Sequence, residues 1–439
     1  MNFGRLDDGA SQAKKVRLAA LALSTFFAWS FLAIQPSVAV EGASAKCPEG
    51  NAGLTLPTGF CATIFADKVG APRHLTVAPD GTVYVNNRRR GGGPSLLALK
   101  DTKGDGKADV IETFGPAGAG GTGIGLYKDN LYVELGDKIV RYELKPGEVA
   151  PKSKPEVVVS KLPIDGDHTA RPFAINSQGE LFVDLGSATN SCQRENRADG
   201  SPGIDPCVEL ETRAGIWRFD ANKPGQVFSS AQRFATGLRN AEGIDFDDTG
   251  RVFATQHGRD QLYENWSKLY SSERGSELPA EVLVEAREGG DYGWPYCYHD
   301  GFQHKLVLAP EYGGDGGKAI GRCADKLPPV AAFPAHWAPN DLKIYKAKQF
   351  PAEYQGGAFI AFHGSWNRSS GGQQGYNVVF QPLKDGKASG PYIVFADGFR
   401  NGDGTGSEHR PTGLAVGPDG ALYVADDAGG RIWRIVYKG

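Results

Sequence analysis

One pattern recurs along this chain: a few alternating apolar residues, a turn with Gly or Asn, then a β-rich run. The instances are HLTVAPDGTVYVNN from His74, GIGLYKDNLYVEL from Gly123, FAINSQGELFVDLGS from Phe173, GIDFDDTGRVFATQHG from Gly243 and GLAVGPDGALYVADD from Gly413. A weaker copy, GGAFIAFHGSW, starts at Gly356. Strand, two-residue turn, strand is a hairpin signal. The turns fall at Gly81, Asn130, Gly179, Gly250, Gly357 and Gly420, and further strand-like runs such as GIWRFD, YNVVFQPL and RIWRIVY lie between them. A four-stranded unit repeated at such spacing stacks into a β-propeller. Six copies predict an all-β fold, a six-bladed β-propeller of four-stranded antiparallel blades. The 60 glycines among 439 residues supply its turns. The stretch from Gly250 to Gly357 is too long for one blade and predicts an insertion around residues 258–350. With no linker or composition break, residues 46–439 read as a single domain. A short helical turn is expected near Leu278–Glu285.

The first residues follow different rules. Lys14, Lys15 and Arg17 precede an apolar run from Leu18 to Ile34, followed by the small-residue stretches Ser37-Val38-Ala39 and Ala43-Ser44-Ala45. This reads as a secretory signal over residues 1–39, with cleavage as late as 45, in a periplasmic or secreted protein. A transmembrane anchor is the other reading, because the run reaches the short limit for a span. An even cysteine count in an exported chain favours disulfides. Six Cys allow 15 connectivities; their three local pairs predict Cys47–Cys61, Cys192–Cys207 and Cys297–Cys323. Zinc is discounted, because no C-x-x-C occurs. With 48 basic against 51 acidic side chains, nothing in the overall charge favours nucleic acid. DTKGDGKADVIE, residues 101–112, partly matches a calcium loop. Lys103 sits at a ligand position, however, so a solvated hairpin turn is favoured.

Four segments carry a resemblance. GLRNAEGIDFDDTGRVFATQHGRDQL, ELPAEVLVEAREGGDYGWP, FHGSWNRS and RPTGLAVGPDGALYVADDAGGRIWRI are similar to the sorbosone/glucose dehydrogenase family. The resemblance runs from about Leu56 to Tyr437. It implies an exported propeller enzyme that uses pyrroloquinoline quinone (PQQ) and Ca²⁺ to oxidise a sugar, an aldose or a sorbosone-like aldehyde, and passes electrons to an external acceptor, a cytochrome or quinone.

PQQ is a flat tricarboxylate ortho-quinone. Its site needs cations for the carboxylates, a surface to stack on, donors for the quinone oxygens, and a base for the substrate hydroxyl. The resemblance gives His168, in DGDHTARPFAI, the role of general base, with Asp167 orienting its ring. It gives Arg239 the polarisation of the quinone carbonyl and Asn240 the adjacent oxygen. Arg410 resembles the family's carboxylate-binding Arg. Arg368 holds the corresponding place in the weak fifth repeat, Trp366 beside it is a stacking candidate, and Arg171 and Arg73 are weaker cofactor candidates. Gly258, Arg259 and Asp260 match the calcium segment, partly through backbone carbonyls. His336 and Trp337 resemble a loop lining the substrate cleft and receive no role; His74 reads equally well as structural. Arginines converging on one axis are costly without an anion, which is an independent reason to expect an anionic ligand. Two other readings compete: a calcium-dependent propeller lactonase, which needs converging acidic ligands, and a non-catalytic exported propeller that binds glycans or proteins.

Overall fold

The computed structural model describes residue 47 and residues 49–88, 95–401 and 406–439. The secretory leader expected over residues 1–39, or to 45, lies outside them. The repeated turns share one geometry. Gly81, Gly179, Gly250 and Gly420 hold φ between +83° and +86°, a left-handed conformation open to glycine because it lacks Cβ. In all four, the amide after the glycine donates to a side-chain oxygen of Asp80, Asn176, Asp247 or Asp419 at 2.9–3.1 Å. Each turn is thus an Asx-type cap that fixes hairpin register locally.

Six antiparallel sheets follow in chain order, each written from its innermost strand outward. Blade 1 is Pro72–Val77, Val83–Asn87, Leu96–Lys100 and Val110–Phe114. Blade 2 is Ile124–Tyr127, Asn130–Leu135, Lys138–Glu143 and Glu156–Ser160. Blade 3 is Phe173–Ile175, Glu180–Leu185, Gly215–Asp220 and Arg233–Thr236. Blade 4 is Ile244–Phe246, Val252–Gln256, Glu281–Ala286 and Ala331–Phe333. Blade 5 is Pro339–Ile344, Ala358–Phe362, Asn377–Gln381 and Ile393–Ala396. Blade 6 is Pro411–Val416, Leu422–Asp426 and Arg431–Tyr437, and its outermost strand, Phe60–Ala66, comes from the other end of the propeller chain. Phe60 lies opposite Tyr437 and Ile64 opposite Trp433, so the ring is closed by the sheet's own hydrogen bonds.

Two short segments reach back across blades. Gln226–Val227 adds in parallel to the outer strand of blade 2, and Gly290–Asp291 adds in parallel to the outer strand of blade 3. Apolar side chains fill the spaces between sheets. Between blades 5 and 6, Phe60 meets Phe350, Phe395 and Tyr354 edge-on, with ring centroids 4.8–5.2 Å apart, a favourable aromatic geometry.

The long insertion leaves blade 4 at two places, residues 257–280 and 287–330. The helical turn expected near Leu278–Glu285 is not there. Glu281–Ala286 is the third strand of blade 4, and the short helices are Leu262–Asn265 and Ser272–Ser276. EVLVEA shows no strand alternation because neighbouring layers bury both of its faces. A hairpin, Cys297–Asp300 with Lys305–Leu308, is tied back by Cys297–Cys323. Cys47–Cys61 and Cys192–Cys207 are also paired as expected. The insertion is anchored through Glu311, whose side chain is wholly buried; it pairs with Arg259 and accepts from Trp266 Nε1 at 2.8 Å.

In the 101–112 loop, Asp101 accepts the amides of Lys103, Gly104, Asp105 and Gly106. Its oxygens serve the hairpin turn itself. Among the described residues, no helix is long and apolar enough to cross a membrane.

Candidate active site

Residues from two places in the blades line one cleft: those just before an innermost strand, and those just after a second strand. The first set includes His168, Arg239, Asn240, His336 and Arg410, and the second includes Arg88, His257, Asp260, His363 and Trp366. The cleft holds about 960 Å³ of atom-free space including its open mouth, the scale of a small-molecule site.

His168 is fixed from behind. Its Nδ1 lies 2.8 Å from the Ser187 carbonyl and 3.0 Å from Ser187 Oγ. Ser187 Oγ donates its own proton to the Thr189 carbonyl at 2.6 Å, so both Ser187 oxygens accept and the ring proton resides on Nδ1. Nε2 then carries the lone pair. Burial, with the Arg239 cation, pushes the imidazole down to about 3. Gly186 makes room for the ring: a Cβ there would lie 2.6 Å from His168 Cβ and 2.8 Å from Asn240 Oδ1.

Two neighbouring histidines use both ring nitrogens on protein. His257 donates from Nε2 to the Pro339 carbonyl at 3.0 Å and accepts from Asn240 Nδ2 at 3.2 Å. His336 donates from Nε2 to the Gly275 carbonyl at 2.9 Å and meets Asn367 Nδ2 at 3.5 Å. His363 bonds Asp427 through Nε2 at 2.8 Å, and burial holds it down at about 4 despite that carboxylate.

Arg239 is held from three sides. It donates to the Asn190 carbonyl, Asn190 Oδ1 and the Gly258 carbonyl at 3.0 Å each, and to Asp260 at 2.8 Å. Burial alone would raise Asp260; the Arg239 and Arg197 guanidiniums outweigh it and hold the carboxylate well below its usual range. Asn240 gives Nδ2 to Glu242 and His257, while its buried Oδ1 meets no donor. Arg73 pairs with Glu242 and Asp427. Against burial, Arg73 carries Glu242 down to about 2. Arg410 donates to the carbonyls of His363 at 2.9 Å and Gly364 at 2.6 Å, with its guanidinium 5.6 Å from the Tyr376 ring.

The cleft therefore brings together His168, Arg239, Asn240, Arg410, Trp366, Arg73, Gly258 and Asp260. Three expected residues point elsewhere. Arg171 is fully buried and clamps its own loop, donating to the carbonyls of Pro163, His168 and Ala170. Arg368 is buried against the Ser276 carbonyl and Glu277. Arg259 turns into the insertion to meet Glu311. Each lies in a loop within a few positions of a cleft residue, and its own partners hold its side chain outside the cleft. Asp167 does not orient His168; it takes Asn196 and Arg197 at 3.1 and 3.0 Å, and Ser187 does the orienting.

The arginines that converge on the cleft are not left uncompensated. Arg73, Arg197 and Arg239 each have a carboxylate partner, so protein groups offset much of the converging positive charge. The acidic residues on the cleft wall are similarly tied to arginines or amides. Among the described residues, no group of three or more His, Cys, Asp or Glu could hold a metal, which leaves the lactonase reading without its acidic ligand set. Sequence reasoning missed Ser187 and Asn190, whose signal was the small polar run SATNSC beside a cysteine. It also missed Arg88, Arg197, Glu242, His363 and Asp427, whose roles depend on partners far along the chain.

Comparison with known proteins follows the same architecture. A pyrroloquinoline quinone-dependent sugar dehydrogenase of Hypocrea jecorina is 23% identical over 413 residues, 88% of this chain and 91% of that protein. A pyrroloquinoline quinone-dependent pyranose dehydrogenase of Coprinopsis cinerea is 28% identical over 277 residues, 54% of this chain but 36% of that longer protein. The solved holo form of the latter's PQQ domain superposes with a TM-score of 0.70 at 20% identity, covering 87% of this chain and 97% of that one. The TrAA12-like family model matches residues 54–438, and the chain belongs to that family.

Proposed function

We propose that this chain is a PQQ-dependent sugar dehydrogenase whose general base is His168. The observation that carries the reading is the tautomer: Ser187 holds the proton on Nδ1, leaving Nε2 as a lone-pair acceptor in a cleft that also contains Arg239. Family membership and the names of the relatives support the sugar and the cofactor.

The donor set fits PQQ. Arg88 and Arg410 stand on the cleft wall with His363, suited to carboxylates, while Arg73 behind them is taken up by Glu242 and Asp427. Arg239 spends four of its five N–H bonds on protein acceptors, which leaves one Nη1–H for a ligand oxygen. Burial pushes the Glu281 carboxyl up to about 8. The Gly258 and Ala338 amides, which donate to its two oxygens, oppose that rise.

When bound, PQQ supplies an ortho-quinone that accepts hydride from carbon and later yields its electrons to an external acceptor. His168 Nε2 takes the proton of the substrate hydroxyl as the C–H pair leaves, so the C–O bond becomes C=O. Arg239 lowers the energy of negative charge developing on the oxygen it faces. Its fixed position means little reorganisation is needed. Calcium does not fit the arrangement as it stands: Arg239 donates to the Gly258 carbonyl, Asp260 takes Arg239, Arg197 and Asn367, and Arg259 faces Glu311.

The test is reconstitution of the purified protein with PQQ, assayed with an artificial electron acceptor across aldoses and sorbosone. Binding at micromolar PQQ with turnover of a sugar is expected, and no binding overturns the proposal. His168→Ala is expected to abolish turnover while PQQ still binds; lost binding instead would make His168 a ligand.

A further inference from the structure

We infer that Trp366 is the platform on which a pyranose ring lies at the cleft mouth, joined by a chain of four polar side chains to Asp167, the residue next to His168. This rests on the sugar-oxidising reading above. It also moves Trp366 from the cofactor to the substrate.

Trp366 lines the cleft, yet 64% of its surface is exposed. It is the most exposed of the large apolar side chains among the described residues. A flat ring serving as the cofactor's stacking face would sit deeper, where the cofactor's fixed groups converge. An indole open to solvent at a polar cleft suits a ligand that enters and leaves. Pyranoses carry a face of axial C–H groups, and stacking that face on an aromatic ring removes apolar surface from water on both sides.

The knuckle bearing Trp366 is rigid. On one side, Ser365 exchanges hydrogen bonds with Gln374: its amide donates to the Gln374 carbonyl at 2.8 Å, and its Oγ accepts the Gln374 amide at 2.7 Å. On the other, Asn367 Nδ2 donates to Asp260 Oδ1 at 2.7 Å, and Arg368 is buried against Ser276 and Glu277. The exposed indole thus stands between pinned neighbours, which limits the entropy lost on binding.

From Asn367 the polar chain continues to the base. Asp260 Oδ2 accepts Arg197 Nη1 at 3.0 Å, and Arg197 Nε donates to Asp167 Oδ2 at 3.0 Å. Asp167 directly precedes His168. The Arg197 and Asp167 side chains are both partly exposed, at 27% and 29%, and offer donors and acceptors for ring hydroxyls. The site is therefore amphipathic, with one flat apolar face and a polar edge that ends at Asp167, the chain neighbour of His168. That combination selects a neutral cyclic sugar over an acyclic aldehyde.

The test compares wild type, Trp366→Ala and Trp366→Phe in the PQQ-loaded protein. Binding of a methyl pyranoside, whose blocked anomeric hydroxyl prevents turnover, is measured by calorimetry, alongside KM and kcat for pyranoses and for glyceraldehyde. Trp366→Ala is expected to raise the pyranoside Kd and the pyranose KM by roughly 10-fold or more. It is expected to leave kcat, PQQ affinity and the glyceraldehyde KM within about 3-fold, and Phe is expected to restore much of the loss. Weakened PQQ binding with unchanged pyranoside binding returns the indole to the cofactor and overturns the inference. So does an unchanged pyranoside Kd, or a wild type that binds no pyranoside. A wild type that binds the pyranoside through Trp366 but oxidises no sugar refutes the proposed reaction instead.

Discussion

Gly186 follows the second strand of blade 3 and stands against two residues at the centre of the proposed chemistry. A Cβ added there would lie 2.6 Å from His168 Cβ, 2.8 Å from Asn240 Oδ1 and 3.3 Å from the His168 carbonyl. The backbone conformation tolerates alanine, since Gly186 is not among the positive-φ glycines. Gly186→Ala therefore acts through crowding alone. Ordinary carbon–carbon contact lies near 3.5–4 Å, so His168 must retreat by roughly an ångström. Such overpacking costs about 1–3 kcal/mol of stability, whereas an ångström at a reacting atom costs roughly 100-fold in rate. The expected signature is a kcat lowered by roughly 10- to 100-fold with a melting temperature lowered by only a few degrees. Gly390→Ala is the control, because its added Cβ would meet only Pro382 Cγ, at 4.0 Å. Steady-state kinetics with PQQ and an artificial acceptor, paired with thermal melts, read both quantities. If Gly186→Ala melts earlier but keeps kcat within twofold, the packing of His168 against Gly186 is structural only and the assignment of the base fails.

Three further outcomes follow from the electrostatics. Because burial and Arg239 hold His168 near 3, its neutral form persists as pH falls from 7 to about 4, so the acid limb of kcat/KM is expected well below the ordinary histidine range; a limb centred near 6.5 argues against His168. In the same range the unfolded chain takes up protons that folded His168 and His363 refuse, so stability declines as pH drops below about 6.5, by at most about 1.4 kcal/mol per pH unit per histidine, and denaturant melts at pH 7 and 5 measure it. Glu311→Leu leaves the Arg259 cation buried without its partner and is expected to cost about 3–5 kcal/mol; the double variant with Arg259→Met is expected to recover much of that loss in the same melts.

The blade repeat was legible because its signals are local: a Gly at the turn, an Asx oxygen on the following amide, and β-rich runs on either side. His168, Arg239 and Asn240 were legible because they stand just before innermost strands, in motifs that resemble a known family. Arg171 and Arg368 were misplaced because they lie in loops, where the carbonyls and the carboxylate that hold their guanidiniums decide the side chain's direction, and a linear motif does not record those partners. The carboxylates were less legible still. Arg73 meets Asp427 across 354 positions and Glu242 across 169, and no short pattern announces such pairs. Ser187 was missed for another reason: its carbonyl and hydroxyl both act on His168, and neither role leaves a mark in residue type alone.

The strand Phe60–Ala66 completes the sheet of blade 6, so the order of synthesis matters. A growing chain holds this strand exposed until Arg431–Tyr437 has been made. Arg73 likewise waits for Asp427, and the cleft waits for Arg410. A product that stops before Arg410 therefore lacks both its seam and part of its cleft. Ring closure and completion of the site both depend on blade 6.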